Sequence, residues 1–320
     1  MTLSRKWVRF VGAAAVLAAG SIAIIAAGDG KPALSTQHES MRRTQSTALV
    51  YTANLKANTV SVHDLATGQP AEYQVEPNAG GLSAPTGVAI GPDGLLYVSS
   101  SGTDQILRYD PDTGGFLDVF TDDERLAGPF SLAFAADGSL FVSSGRANVV
   151  LRVDGESGQV LGVAATDTLM KVPIGLAVQG DSLLHVASAG SNAILTFALK
   201  TGVLLHGTAS DDLKFPSDVA LGPDGALYVS SAFDGKLVRM DASTRATSEI
   251  ARLPGEGGVM VGIAFDGEGR LLAGDFGRSR LYILDSLDNP EFRLLTEVGL
   301  AGPENIVVRS LKRPSAAGSP

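Results

Sequence analysis

The chain contains no cysteine. Disulfides, thiolate metal sites and lipid attachment through an N-terminal Cys are therefore excluded. The lack is no argument for the cytosol, because an exported protein with a large core manages without disulfides. Positive charge is also scarce: 25 Lys and Arg stand against 34 Asp and Glu, a net charge of −9. Three of the positive charges, Arg5, Lys6 and Arg9, lie in a segment expected to be removed, which leaves the remainder still more acidic. Such a balance repels phosphate backbones, so no nucleic-acid partner is expected. There is no G-x-S-x-G elbow and no glycine loop of the phosphate-cradling kind, so neither a hydrolase serine nor a nucleotide site has its signature. Histidine is limited to His38, His63, His185 and His206.

Apolar residues and turn formers are abundant. Hydrophobic residues make up 44%, enough for a core, and 38 Gly with 15 Pro imply frequent turns. The first 28 residues stand apart. A positive MTLSRKWVRF precedes an apolar run from Phe10 to Gly28, with small residues at Ala26, Ala27 and Gly28. This is the pattern of a signal peptide, and the run is also just long enough for a retained membrane anchor. Both readings export the rest, so a secreted or periplasmic location is expected, with membrane contact only through an uncleaved N-terminus. Residues 29–46 read as a polar linker and 311–320 as a loose tail, leaving 47–310 as the folded part.

That part repeats itself. Pro85, Pro129, Pro173 and Pro216 open similar stretches, Met260 stands in for the next Pro, and Pro303 opens the last; the spacings are 44, 44, 43, 44 and 43 residues. After each marker comes an alternating apolar run, then an acid at Asp93, Asp137, Asp181, Asp224 or Glu268, followed by Gly in four of the five units. Asp-Gly tolerates positive φ and signals a hairpin. Three further runs and a Thr-Gly or Ser-Gly turn complete the unit. Four antiparallel strands in about 44 residues predict an all-β, six-bladed β-propeller of four-stranded blades. Five blades are complete. Ala48 to Val75 supplies three strands and PENIVVRS supplies one, so a composite blade is expected to close the ring and remove its open seam.

The motif, as in PTGVAIGPDGLLYVSS, resembles the NHL repeat and the wider set of six-bladed propellers that includes SMP-30/gluconolactonase-like and streptogramin-lyase-like proteins. The likeness spans Thr47 to Ser310. It implies inner strands lining an axis, with sites at one mouth. In the gluconolactonase-like family, carboxylate and amide ligands next to the marker hold a divalent metal. The matching positions here read Thr86, Phe130, Ile174, Ser217, Val261 and Glu304, then Gly87, Ser131, Gly175, Asp218, Gly262 and Asn305. That constellation is not reproduced residue by residue. Glu304 and Asn305 are adjacent, and alternation along a strand predicts that they do not both face the axis.

The residues that break the repeat are the candidate ligands: Asp218 and Ser217 in blade four, Glu304 and Asn305 in the last strand, and Asp275 and Asn54, which replace the serine found at Ser100, Ser144, Ser188 and Ser231. Asx side chains also hold nearby turns, a competing role for Asp275 and Asn54. The four histidines occupy linker, packing or rim positions. The expected function is a binding module for a protein, peptide or small-molecule ligand, acting as a monomer. The alternative is a lactonase-like hydrolase or a lyase using Ca, Mg or Zn held by Glu304, Asp218 and Asp275. It requires those three carboxylates to converge at one mouth.

Overall fold

The computed structural model describes residues 48–311, which form twenty-three strands. The expected leader, the linker with His38, and the tail from residue 312 lie outside the described residues. Five antiparallel sheets of four strands and one of three make a six-bladed β-propeller. Blade one, for example, runs outward through Pro85–Ile90, Leu96–Ser100, Gln105–Tyr109 and Phe116–Thr121. The other inner strands are Pro129–Phe134, Pro173–Gln179, Pro216–Leu221, Met260–Phe265 and Pro303–Ser310. Each inner strand touches the next, and the last touches the first, so the ring is closed.

Local chemistry accounts for the blades. In the first hairpin, Asp93 Oδ1 accepts the Leu95 N–H at 3.1 Å, and Gly94 takes a φ of 83° that a side chain would resist. Asp137 and Asp224 hold the N–H groups of Ser139 and Ala226 in the same way. Blade five departs from the expected pattern. There the turn is held by Asp266, which accepts the N–H groups of Glu268 and Arg270 at 2.9 and 2.8 Å, while Glu268 itself stands at the surface beside Arg270. The shorter Asp side chain is the one that reaches its own backbone two residues on. The arginines that recur in the third strands, Arg108, Arg152 and Arg239, pair with Asp118, Asp137 and Asp224 of their own blades at 2.6, 2.8 and 2.8 Å.

The core lies between blades. Alternate residues of each strand face opposite neighbours. Leu96 and Val98 pack with Tyr51, Val60 and Val62 of the composite blade, whereas Tyr97 packs toward blade two with Leu132 and Leu140. The Tyr97 ring meets Phe134 edge-on, centroids 5.1 Å apart. Each such fully buried side chain contributes about 1.5–3 kcal/mol.

The composite blade differs from expectation in one respect. Ala48–Asn54 pairs on one side with Thr59–Asp64 and on the other with Pro303–Ser310. The segment up to Val75 adds no fourth strand; it touches the edge only through the bridges Val60↔Val75 and His63↔Pro70. The outer segment takes five steps from Pro70 to Val75 while the strand takes three from His63 to Val60, so no continuous ladder forms.

Candidate binding face at the axial mouth

Each inner strand enters the ring through a turn at its marker. The preceding residue is left-handed at Ala84, Gly128, Val172, Phe215 and Gly302, with φ between 48° and 64°. Immediately after the marker the strand carries one extra residue. Pro216 pairs with Ser231 but Asp218 pairs with Ser230, and the other five blades shift register at the same place. A bulge suspends the alternation of side chains. Ser217 and Asp218 consequently both turn to the inner strand of blade five: Ser217 Oγ donates to Met260 O at 3.1 Å, and Asp218 Oδ2 accepts from Ile263 N at 3.0 Å. The alternation that set Glu304 and Asn305 on opposite faces therefore fails at this point of the strand.

The structure brings Asp218 and Asn305 together. Asn305 Nδ2 donates to Asp218 Oδ2 at 3.2 Å, and Asn305 Oδ1 accepts the N–H of Val88 at 3.1 Å. Asp218 Oδ1 also accepts Val219 N at 2.9 Å. The pair links the inner strands of blades four, five, six and one across the axis. Burial pushes the Asp218 carboxyl up to about 7, against the pull of the Ile263, Val219 and Asn305 donors. Glycine in the preceding blades makes the space: a Cβ on Gly175 would lie 2.6 Å from Asp218 Oδ1, and one on Gly262 would lie 2.7 Å from Asn305 Cα.

Six bulge residues, one per blade, ring the mouth: Thr86, Phe130, Ile174, Ser217, Val261 and Glu304. All are 9% exposed or less. The Thr86 hydroxyl donates to Pro129 O at 2.7 Å, repeating the cross-blade bond of Ser217. Glu304 is different. Among the described residues neither of its oxygens has a hydrogen-bond partner, and neither is sealed from solvent. Burial pushes its carboxyl up to about 8, opposed by the charge of Lys56. Lys56 itself donates to Phe276 O at 3.4 Å and lies over the Phe276 ring, 4.4 Å from the centroid. Reading the sequence passed over Lys56.

Asp275 and Asn54 do what the serines do. Ser100, Ser144, Ser188 and Ser231 each accept an N–H from the entry turn of their own blade, at 2.7 to 2.9 Å. Asp275 Oδ1 accepts from Val259, Gly277 and Arg278, and its other oxygen takes the Arg278 guanidinium at 3.1 Å. Asn54 Oδ1 accepts Ala301 N at 3.1 Å, and its amide donates to Ser61 Oγ at 3.0 Å. Both side chains are fully buried and committed to loops.

No histidine among the described residues reaches the mouth. His63 is buried in the composite blade with Nε2 2.8 Å from Val298 O, and burial lowers its pKa. His185 lies between Thr196 Oγ1 and Gln179 Oε1 at 3.0 and 2.9 Å, where burial lowers it to about 4. His206 is exposed on an outer strand. Among the described residues no three His, Cys, Asp or Glu side chains converge to hold a metal ion. A cavity of about 400 Å³ lies elsewhere, at the hairpin ends of blades two and three, where Asp137, Arg152, Asp181 and Lys200 mix both charges.

A closed six-bladed propeller with one asymmetric mouth defines the class. The profile of the virginiamycin B lyase family matches residues 69–283, and the chain belongs to that family. No curated protein matches. Among solved structures, the chain is similar to a catalytically inactive histidine-to-alanine variant of virginiamycin B lyase from Staphylococcus aureus with quinupristin. Identity is 17%, coverage 82% of this chain and 89% of that one, and the TM-score 0.61. A streptogramin B lyase structure gives 16% identity, coverage of 82% and 87%, and a TM-score of 0.61. A nidogen/laminin complex gives 14%, 82% and 98%, and 0.67. At these identities the likeness is one of fold.

Proposed function

We propose that the protein is an exported NHL-like propeller that binds a protein, peptide or small-molecule ligand over its axial mouth. One observation carries the reading: six equivalent bulge positions hold six different residues, Thr86, Phe130, Ile174, Ser217, Val261 and Glu304, while the blade interiors repeat. In a repeat architecture the shared residues build the scaffold, and a site is made where the copies differ.

Family membership favours a lyase as the second reading. The Staphylococcus aureus relative loses catalysis with one histidine-to-alanine change. Here the described histidines are packed within blades or lie on an outer strand, away from the mouth. A metal-dependent hydrolase or lyase would need Ca, Mg or Zn on Glu304, Asp218 and Asp275. Asp275 is engaged by Arg278 and three N–H groups, and Asp218 by three donors, which leaves Glu304 alone with free acceptors. The residues do not fit such a metal.

Two assays separate the readings. Incubation of the purified protein with quinupristin and magnesium should leave the antibiotic intact by mass spectrometry; its enzyme-dependent loss would establish the lyase. A fragment screen by ligand-observed NMR should return hits that Ile174→Arg, checked for folding by circular dichroism, no longer binds. Hits unaffected by that change would move the site off the mouth.

A further inference from the structure

We infer that the mouth takes a primary ammonium group on a short apolar stem, with Glu304 as its counter-charge. This rests on the mouth being the binding face and names the chemistry it selects.

The donor–acceptor inventory of the ring is one-sided. Glu304 offers oxygens that accept nothing from the protein. The Thr86 and Ser217 hydroxyls each spend their proton on a carbonyl of the next blade, Pro129 O and Met260 O, so what they have left is accepting capacity. Five of the six markers beside the ring, Pro85, Pro129, Pro173, Pro216 and Pro303, have no backbone N–H, and Met260 is the exception. A ring rich in acceptors, poor in donors and carrying one buried carboxylate is matched by a cation with several N–H groups. It is mismatched with an anion, to which the polar side chains of the ring offer only lone pairs.

Size and shape narrow the choice. Glu304 is only 9% exposed, so it meets a small head and not a broad surface. Phe130, Ile174 and Val261 supply apolar positions of the same ring, on both sides of Ser217, against which the methylenes of a stem pack. A lone carboxylate suits a compact ammonium, which needs no second carboxylate. Lys56 demonstrates the charge preference from inside the molecule. Its ammonium acts on Glu304 electrostatically, yet it is held on Phe276 and forms no ion pair with the carboxylate. The position is thus polarised toward a cation and left without one at bonding distance. An incoming ammonium displaces the proton that burial keeps on Glu304 below a pH of about 8, and gains a charge-assisted hydrogen bond to the carboxylate so formed.

Ammonium of this kind belongs either to a free amine or to a lysine of a peptide. The test is saturation-transfer NMR on the intact protein with n-butylammonium, n-butanol and butyrate, beside the peptide acetyl-Gly-Lys-Gly-amide. The ammonium should bind at least tenfold more tightly than the alcohol, and butyrate should not bind. Glu304→Gln should abolish the preference for the ammonium while leaving the alcohol unchanged. Lys56→Met, an exposed change that leaves the ring intact, should tighten the ammonium several-fold. Tighter binding of the peptide than of butylammonium assigns a peptide source, and the reverse assigns a free amine. Equal binding of alcohol and ammonium, or ammonium binding that survives Glu304→Gln, overturns the inference. Binding of the alcohol and butyrate alone leaves the mouth as the binding face and removes only the ammonium. No binding of any probe removes both.

Discussion

Asp218 and Glu304 are two acids in one ring with opposite surroundings. Asp218 is surrounded by donors, Glu304 by none, and burial raises both. A carboxyl raised in the folded state holds its proton after the unfolded chain has released it. Stability is therefore full below the unfolded value, near 4, and is lost as pH rises through about 7 for Asp218 and about 8 for Glu304. Urea unfolding between pH 4 and 9 should show stability falling across that range. Glu304→Gln removes one of the two charges; it should raise stability at pH 9 by on the order of 2 kcal/mol or more and leave pH 4.5 little changed. A neutral effect at pH 9 would mean that Glu304 is solvated. Asp218→Ala should cost about 2 kcal/mol at pH 5, where only hydrogen bonds are lost, and less at pH 8, where a buried charge goes with them. Asp218 and Asn305 were visible in the sequence as breaks in the repeat. Their contact was not, because a bulge leaves no mark in an alternating pattern. Lys56 was open to the same reading: it stands where three other blades have Gly102, Gly190 and Gly277.

At the level of strands and turns, the marker proline governs the entry to five of the six blades, blade five having Met260 instead. It restricts the residue before it, and here that residue is left-handed in five blades. Val172 adopts φ 50° despite its branched side chain, while Asn148 Oδ1 holds its N–H at 2.7 Å. Glycine at this position keeps that bond and the one from Ala189 N–H to the carbonyl of residue 172, and removes the Cβ conflict. Val172→Gly should therefore be neutral or stabilising by up to about 1 kcal/mol, although Gly elsewhere in a strand destabilises. Loss of more than 1 kcal/mol on chemical denaturation would show that packing of the Val172 side chain outweighs the strain. The strands themselves could be read from the markers and the Asp-Gly turns, since each is a local signal. The missing fourth strand of the composite blade could not be read so easily. Its segment has suitable residues, but the bridges His63↔Pro70 and Val60↔Val75 are out of register by two residues, which breaks the ladder between them.

For the whole molecule, the closing strand matters most. Pro303–Ser310 packs Ile306 against Leu272 and Ile283 of blade five and pairs with Ala48–Asn54 at the other end of the chain. Removing residues 303–320 strips an inner strand from the ring and exposes two blade interfaces. The truncated chain should lose its single cooperative thermal transition, whereas loss of the tail from 312 alone should not change it. The same strand carries Glu304 and Asn305, so ring closure and the mouth are built together. This coupling explains why the fold was plain in the sequence and the chemistry was not: the fold is what the blades share, and the mouth depends on single residues brought together by closure. The account stands on Glu304 being a buried carboxyl without a partner. The direct measurement is a pH titration of its side-chain carboxyl by carbon-13 NMR, assigned by comparison with Glu304→Gln. A midpoint near 8, falling when n-butylammonium is added, is the predicted result. An unshifted midpoint, near the 4.5 of an ordinary glutamate and indifferent to the amine, would contradict it.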